Sequence, residues 1–296
     1  MKILLTGKNG QVGFELQRAL APLGEIVAID HPECDLANPD AIRQLVRDVR
    51  PGIIVNPAAY TAVDKAESDQ ATAFAVNGVA PGVFGEEAAR LGALVVHYST
   101  DYVFDGCKQG AYAEEDVPNP QSVYGKSKLA GEQALQQSGA DFLIFRTSWV
   151  FGAHGGNFAK TMLKLSADRE ALSIVADQFG APTSAALLAD VTAHAIRQYQ
   201  RQGRAAYPFG LYHLVAGGLT TWHEYAKTVI AAGHTAGLPL KLQIDNIKAI
   251  TTADYPLPAP RPANSQLSTV KLQDVFGLRL PEWQSGLDHV LQQILK

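Results

Sequence analysis

The chain has 296 residues, 47% of them hydrophobic and 18% charged, with a net charge of −4. That length can bury a large core, as one enlarged α/β domain or as two lobes, and the acidic balance excludes a basic nucleic-acid or anionic-membrane surface. No apolar run approaches the roughly 18 residues of a membrane span, the N-terminal apolar stretch is too short for a signal peptide, and Cys34 and Cys107 lack metal-ligand spacing, so a reduced, cytoplasmic protein is expected.

In chain order, the first half alternates short apolar runs with amphipathic segments. Lys2–Thr6 reads as a strand, a glycine turn follows, and a helix is predicted near Gln11–Ala21. Glu25–Asp30 reads as the second strand. Asn38-Pro39 has the pattern of an N-cap with proline in the first turn, opening a helix that carries Ile42, Leu45, Val46 and Val49. Gly52–Asn56 is the third strand, and Asp69–Leu91 is mostly helical despite Gly78 and Pro81. Ala93–Tyr98 is a fourth strand and leads into Ser99-Thr100-Asp101. A helix follows around Tyr124, then a strand at Phe142–Phe145. Strands apolar throughout and alternating with helices predict a parallel sheet covered on both faces.

The second half is less regular. Helices are predicted at Asn157–Ala167, Ala185–Tyr199 and Thr221–Ala232, with a strand-like Leu211–Val215 between the last two. The proline-rich stretch Thr251–Arg261 reads as an ordered loop over a site or between lobes, because a helical pattern resumes around Val270.

Two motifs carry chemistry. Gly7-Lys8-Asn9-Gly10-Gln11-Val12-Gly13 follows the first strand and opens the first helix, the context in which glycines admit a pyrophosphate to the backbone and to the free N–H groups of a helix start. The spacing Gly-x-x-Gly-x-x-Gly also fits a purely structural turn. Asp30, at the end of the second strand, is placed to accept from adenosine ribose hydroxyls, or to serve as a strand-end carboxylate. A carboxylate there disfavours a 2′-phosphate, while Lys8 is within a loop's reach of one, so NADH and NADPH both stay open. The second motif is Tyr124-Gly-Lys-Ser-Lys128. On a helix this spacing stacks phenol and ammonium on one face, and the ammonium is expected to lower the phenol pKa for acid–base work. Thr100 adds a second donor for an oxygen that gains negative charge.

With these motifs in place, six strings extend the pattern: Asn56–Glu67, His97–Phe104, Phe145–Val150, Asp177–Thr183, Leu211–Gly218 and Arg261–Ser265. Together they resemble the dTDP-4-dehydrorhamnose reductase family of the extended short-chain dehydrogenase/reductase superfamily, over nearly the whole chain. The resemblance implies a Rossmann-type doubly wound parallel sheet with a smaller C-terminal substrate-binding lobe. Its division would be 1–148 plus about 181–215 for the dinucleotide, and about 149–180 plus 216–296 for the sugar nucleotide. It implies reduction of the C4 ketone of dTDP-4-dehydro-L-rhamnose by NADPH or NADH, supplying surface polysaccharide such as O-antigen. Tyr124 would be the proton donor, Lys128 would hold the nicotinamide ribose, and Thr100 would bond the reacting oxygen. Gly7, Gly10, Gln11, Val12, Gly13, Asp30, Asp35, Leu36, Ala59, Tyr60 and Thr61 would meet the cofactor; Thr100, Asp101 and Trp149 the sugar nucleotide. A magnesium ion, through Glu15 and other acidic residues, and a homodimer are compatible with the resemblance, with no residue pattern that demonstrates either.

Pro57 stands where the family pattern has alanine, and should stiffen the strand end without altering chemistry. The related 4,6-dehydratases carry Thr-Asp-Glu; here Thr100-Asp101-Tyr102 lacks that glutamate. A 4-epimerase, a reductase of another nucleotide keto sugar, and a non-catalytic regulator resembling the regulatory subunit of methionine adenosyltransferase are the remaining alternatives. His97, His154, His213 and His223 show no metal spacing and read as packing or surface residues.

Overall fold

In the computed structural model, which describes residues 1–295, the apolar runs pair into one sheet. Its strands are β1 (Lys2–Leu5), β2 (Glu25–Ala28), β3 (Ile53–Asn56), β4 (Leu94–Thr100), β5 (Asp141–Thr147) and a sixth at Gly210–His213. From one edge to the other they run Gly210–His213, β5, β4, β3, β1, β2, and every pairing is parallel. The predicted doubly wound α/β class is the one observed.

Alternation of side chains along each strand decides which layer each residue feeds. Ile3, Leu5, Ile53, Val55, Leu94 and Val96 enter a core under helices α1 (Gln11–Leu20) and Ala185–Gln202. Leu4, Ile54 and Val95 enter the opposite core under α2 (Pro39–Val49) and the Ala80–Leu91 helix. Both faces are dry, which is why these strands read as continuous apolar runs. The α2 start follows its sequence signal: the Asn38 side chain accepts from Asp40 N and Ala41 N, with Pro39 in the first turn.

The predicted helix over Asp69–Leu91 is broken into Gln70–Phe74, a π-helical turn at Ala75–Val79, and Ala80–Leu91. Pro81 has no N–H to offer the Asn77 carbonyl, so the regular ladder cannot continue through that point. The freed carbonyl lies against the Val123–Gln137 helix at Gly131, where an added Cβ would sit 2.0 Å from Asn77 O.

A third core gathers Met162, Tyr225, Val229, Trp283 and Leu287 from the Phe158–Asp168, Trp222–Thr235 and Trp283–Ile294 helices, together with Phe151 and Leu242. Beside it, Leu172–Val175 and Ile247–Ile250 pair in parallel, two strands with no counterpart among the predicted elements. Leu272, Phe276 and Leu280 return to the first core, so the segment after the proline-rich loop packs on the main sheet. The loop itself is tied down: Asp177 accepts from Thr252 N at 2.9 Å and from Thr252 Oγ1 at 2.7 Å, and Arg261 donates to Asp64 at 2.8 Å.

Gly131→Ala is expected to destabilise the fold by about 1–3 kcal/mol, the usual cost of overpacking. A urea midpoint matching that of the natural chain would show that the helix contact is looser than described.

Candidate functional site

The C-terminal ends of β1, β3 and β4 converge on one edge of the sheet, and the site is built there. Gly7, two residues past β1, holds φ at +61°, a conformation that favours glycine, and donation from Gly10 N to Gly7 O at 3.0 Å closes the turn. At Gly13 a Cβ would come within 2.0 Å of Gly7 O. The loop therefore lies against α1 too closely for side chains at these positions, leaving backbone N–H groups and the helix start facing outward. These are features that fit the pyrophosphate of a dinucleotide.

Around this cradle, Asp30 Oδ2 accepts from Asn9 N at 3.1 Å and Oδ1 from His31 N at 2.9 Å. Gln11 donates weakly to Val150 O and accepts from Asn157 Nδ2 at 3.0 Å, so it joins the loop to the segment after β5. Val12 packs against the first core and Leu36 is buried in the second. Asp35 is exposed and accepts from Ala37 N. In the loop after β3, Ala59 and Tyr60 are partly buried and Thr61 is exposed. Tyr60 is clamped there by Asn77, which accepts from Tyr60 N at 2.8 Å and donates to Tyr60 O at 3.0 Å. Asn77 also donates to Ser127 Oγ at 3.1 Å.

The second half of the site hangs on the Val123–Gln137 helix, capped by Ser122, whose hydroxyl accepts from Gly125 N. Tyr124 and Lys128 share one face of it. Thr100 ends β4; its hydroxyl donates to Asp101 Oδ1 at 3.0 Å and accepts from Tyr102 N at 3.2 Å. Burial first, then the Asp101 carboxylate, pushes the Tyr124 phenol up to about 12, and the neighbouring Thr100 hydroxyl opposes the shift. The expected lowering of the phenol by Lys128 is not what the geometry provides. Lys128 donates to the Tyr98 carbonyl at 2.6 Å and faces His97 Nε2 at 3.4 Å, and its burial brings the ammonium down to about 8. At neutral pH the phenol is thus a protonated donor. Asp101 is buried, and that burial raises its carboxyl to about 6 against hydrogen bonds from Ser265 and Thr100.

Trp149 holds φ at +48°, a left-handed conformation that costs a non-glycine residue ~1–2 kcal/mol. Its indole stacks on Trp222 with centroids 3.7 Å apart. A cavity of about 1090 Å³ opens beyond this pair, lined by Tyr102, Phe158, Gln178, Trp222, Lys248 and Arg261 among others. The Tyr102 ring meets Tyr124 edge-on at 5.5 Å, so the cavity abuts the Tyr124 end of the site.

Three contributors were not read from the sequence in these roles. Asn77 sits in the π-helical turn, and the signal for it was the pair of interruptions Gly78 and Pro81. Trp222, at a helix start, had no signal beyond its size. His97, read as packing, lies in a buried polar chain: Thr6 Oγ1 donates to Asn56 Oδ1 at 2.6 Å, Asn56 Nδ2 lies 3.2 Å from His97 Nδ1, and His97 Nε2 faces Lys128. Burial and the adjacent ammonium hold His97 well below the ordinary histidine range, hence neutral.

The magnesium ion that the resemblance allows gains no support from the structure. Among the described residues no group of three or more His, Cys, Asp or Glu is placed to hold a metal. Glu15 instead pairs with Arg18, which also reaches Asp190 at 3.0 Å. Both cysteines are free, and among the described residues no helix is long and apolar enough to cross a membrane.

Comparison with known proteins shows the family. The family model described as the RmlD substrate binding domain matches residues 1–296. A dTDP-4-dehydrorhamnose reductase of Shigella flexneri is 51% identical, covering 99% of this chain and 98% of its own. The crystal structure of a dTDP-4-dehydrorhamnose reductase from Clostridium acetobutylicum superposes with a TM-score of 0.90 at 34% identity, covering 100% of both chains. That of a Bacillus anthracis dTDP-4-dehydrorhamnose reductase in complex with NADP gives 0.89 at 33% identity, covering 99% of both.

Replacing His97 by leucine removes a neutral partner of the Lys128 ammonium and leaves it in a more apolar setting. Lys128 is then expected to titrate below about 8, since desolvation without compensation favours the neutral amine. Amine-labelling of Lys128 as a function of pH, read by peptide mass spectrometry, reports this; an unmoved titration would discard the His97 contact.

Proposed function

The chain belongs to the RmlD substrate binding domain family, and we propose on that premise that it is an NAD(P)H-dependent oxidoreductase of nucleotide-sugar metabolism. It reduces the C4 ketone of dTDP-4-dehydro-β-L-rhamnose to dTDP-β-L-rhamnose, the last step of dTDP-rhamnose biosynthesis. The observation that carries this reading is the meeting of Thr100, Tyr124 and Lys128 at the same sheet edge as the glycine cradle, in a chain 51% identical to a reductase of that name.

NAD(P)H, when bound, supplies the hydride that goes to C4. The glycine loop and the start of α1 hold the pyrophosphate, Asp30 accepts from the adenosine ribose, and residues Ala59 to Thr61 flank the cofactor, with Asp35 and Leu36 behind Asp30. As charge builds on the C4 oxygen, the Tyr124 hydroxyl passes its proton to it. The Thr100 hydroxyl turns from Asp101 to donate to the same oxygen. Lys128, as an ammonium, holds the nicotinamide ribose beside Tyr124. Asp101 and Trp149 contact the sugar nucleotide. The cavity bounded by Trp222 and the proline-rich loop receives the rest of that substrate. Residues 1–148 plus about 181–215 form the cofactor-binding unit, and about 149–180 plus 216–296 the substrate-binding one, with 270–280 packed back on the cofactor side.

With enzymatically generated dTDP-4-dehydro-L-rhamnose and reduced nicotinamide, absorbance loss together with formation of dTDP-L-rhamnose is expected. Absence of turnover in protein that still binds nucleotide would end the sugar assignment. Tyr124→Phe should lower kcat by about 10²-fold or more, the scale of a lost acid catalyst, with cofactor affinity nearly unchanged. Near-normal turnover would remove Tyr124 from the donor role. Because the rate needs a charged Lys128, it should be full below pH about 8 and fall as pH rises through that value; a rate flat to pH about 10, the ordinary lysine range, would contradict the lysine's part.

A further inference from the structure

The helix that carries Tyr124 begins on a bond from far away in the chain. The first N–H groups of any helix have no partner within it. In the Val123–Gln137 helix the Ser122 hydroxyl accepts from Gly125 N, a local cap. Val123 N instead donates to Glu67 Oε1 at 2.8 Å, a contact spanning 56 positions. Val123 is buried and Tyr124 follows it, so a side chain from another element grips the helix directly before the phenol.

Glu67 sits at the end of the short Val63–Ala66 helix, its own N–H turned back on Asp64 O and Lys65 O. That helix follows Ala59, Tyr60 and Thr61, the residues that the reading above gives to the cofactor. One turn earlier on it, Asp64 accepts from Ala259 N and Arg261 of the proline-rich loop. Two carboxylates on one turn therefore hold the Tyr124 helix and the cavity loop to the segment that follows Thr61. Around the Glu67 bond, Ala66, Ala73 and Val123 form an apolar cluster against which Tyr60 and Tyr124 pack.

We propose that Glu67 is a positioning residue for Tyr124: by accepting from Val123 N it sets the first turn of the helix against the Ala59–Thr61 loop, and so aims the phenol's proton at the C4 oxygen. The inference rests on the proton-donor role given to Tyr124 above. A carboxylate that accepts from a backbone N–H at a helix start is favoured both by its charge and by the helix dipole, and partly buried surroundings strengthen the bond. The local cap is spent on Gly125 N, so loss of the carboxylate leaves Val123 N unpaired and frees the first turn to shift. The other hydrogen-bonded anchors of the helix, Lys128 on Tyr98 O and Glu132 on Arg146, lie a turn or more beyond Tyr124 and hold its body, not its start. Position matters steeply here, since misplacing a reacting group by about 1 Å costs ~10²-fold in rate.

The test is steady-state reduction of dTDP-4-dehydro-L-rhamnose by the purified full chain, with urea midpoints and nicotinamide-fluorescence titrations alongside. Glu67→Ala should lower kcat by about tenfold or more and leave cofactor affinity and the sugar KM within about twofold, the pattern of an interaction used in the transition state. Retained cofactor affinity shows that the variant is folded. Glu67→Gln keeps an acceptor oxygen and should recover kcat to within about threefold of the natural chain. Added to Tyr124→Phe, Glu67→Ala should lower the residual rate by less than about twofold, because no phenol proton is left to position. Where Glu67→Ala loses its fold, Glu67→Asp carries the same test: one methylene short of Val123 N, it should be slow where Glu67→Gln is fast. A natural kcat in Glu67→Ala beside a lowered urea midpoint would reduce Glu67 to a structural cap and overturn the proposal. Equal rates in the glutamine variant and in the alanine or aspartate variant would overturn it too, as would additive losses in the double variant. Normal turnover in Tyr124→Phe alone would bring down the donor reading and this inference with it, whereas a slow Tyr124→Phe beside a fast Glu67→Ala would touch this inference only.

Discussion

The site depends on how closely one helix can approach the rest of the protein. The Val123–Gln137 helix carries Tyr124 and Lys128, and two glycines on it replace side chains where backbone passes. A Cβ at Gly125 would lie 2.2 Å from Tyr102 O, and one at Gly131 2.0 Å from Asn77 O. Interiors are packed to crystal-like density, so bulk at either position would push the helix outward as a body. Only at this depth does the Lys128 ammonium reach the Tyr98 carbonyl. The same approach brings Ser127 to Asn77, which in turn orients the loop after β3 at Tyr60.

The helix is also fixed in register by charge. Glu132 accepts two hydrogen bonds from Arg146 of β5, at 2.9 and 2.7 Å, with both side chains buried. Such a pair contributes little net stability over apolar residues of similar volume, yet a one-residue slip would leave two uncompensated buried charges. The Arg146 guanidinium lies over the Phe104 ring at 5.0 Å, which secures the segment just beyond Asp101. Register, approach and the Thr6–Asn56–His97–Lys128 chain thus act on the same few atoms. Burying polar groups is costly unless they are bonded, and here the bonding runs from Thr6, just past β1, to the lysine.

The glycine-loop half and the cavity half of the molecule are joined at two further points. Gln11 of the glycine loop bonds Asn157 and Val150, and Asp64, just past the cofactor loop, accepts from both Ala259 N and Arg261 on the proline-rich segment. The glycine turn is thereby tied to the segment after β5, and the cavity is bounded by a proline-rich loop anchored near both ends, at Thr252 and at Arg261.

The sequence by itself determined the parallel sheet, because runs such as Ile53-Ile54-Val55 must be dry on both faces, and it determined the glycine turn, because Gly7 needs a positive φ and Gly13 a close contact. The Tyr124–Lys128 pair was legible for the same reason: helical spacing alone puts both side chains on one face. The long strings shared with the reductase family carried the rest of the activity. Tertiary structure decided what the pair touches. Spacing suggested that the lysine lowers the phenol, but the depth of burial and the proximity of Asp101 raise it, and no local pattern encodes burial. His97 was invisible as a Lys128 partner because the contact spans β4 and a helix 31 residues away, and Trp222 because its stacking partner lies 73 positions earlier (222 − 149). Glu67 was one acidic residue in a shared string until folding set it on Val123 N, 56 positions on. Local sequence encodes periodicity, caps and turns; which charges meet, and at what depth, is fixed only when distant elements pack.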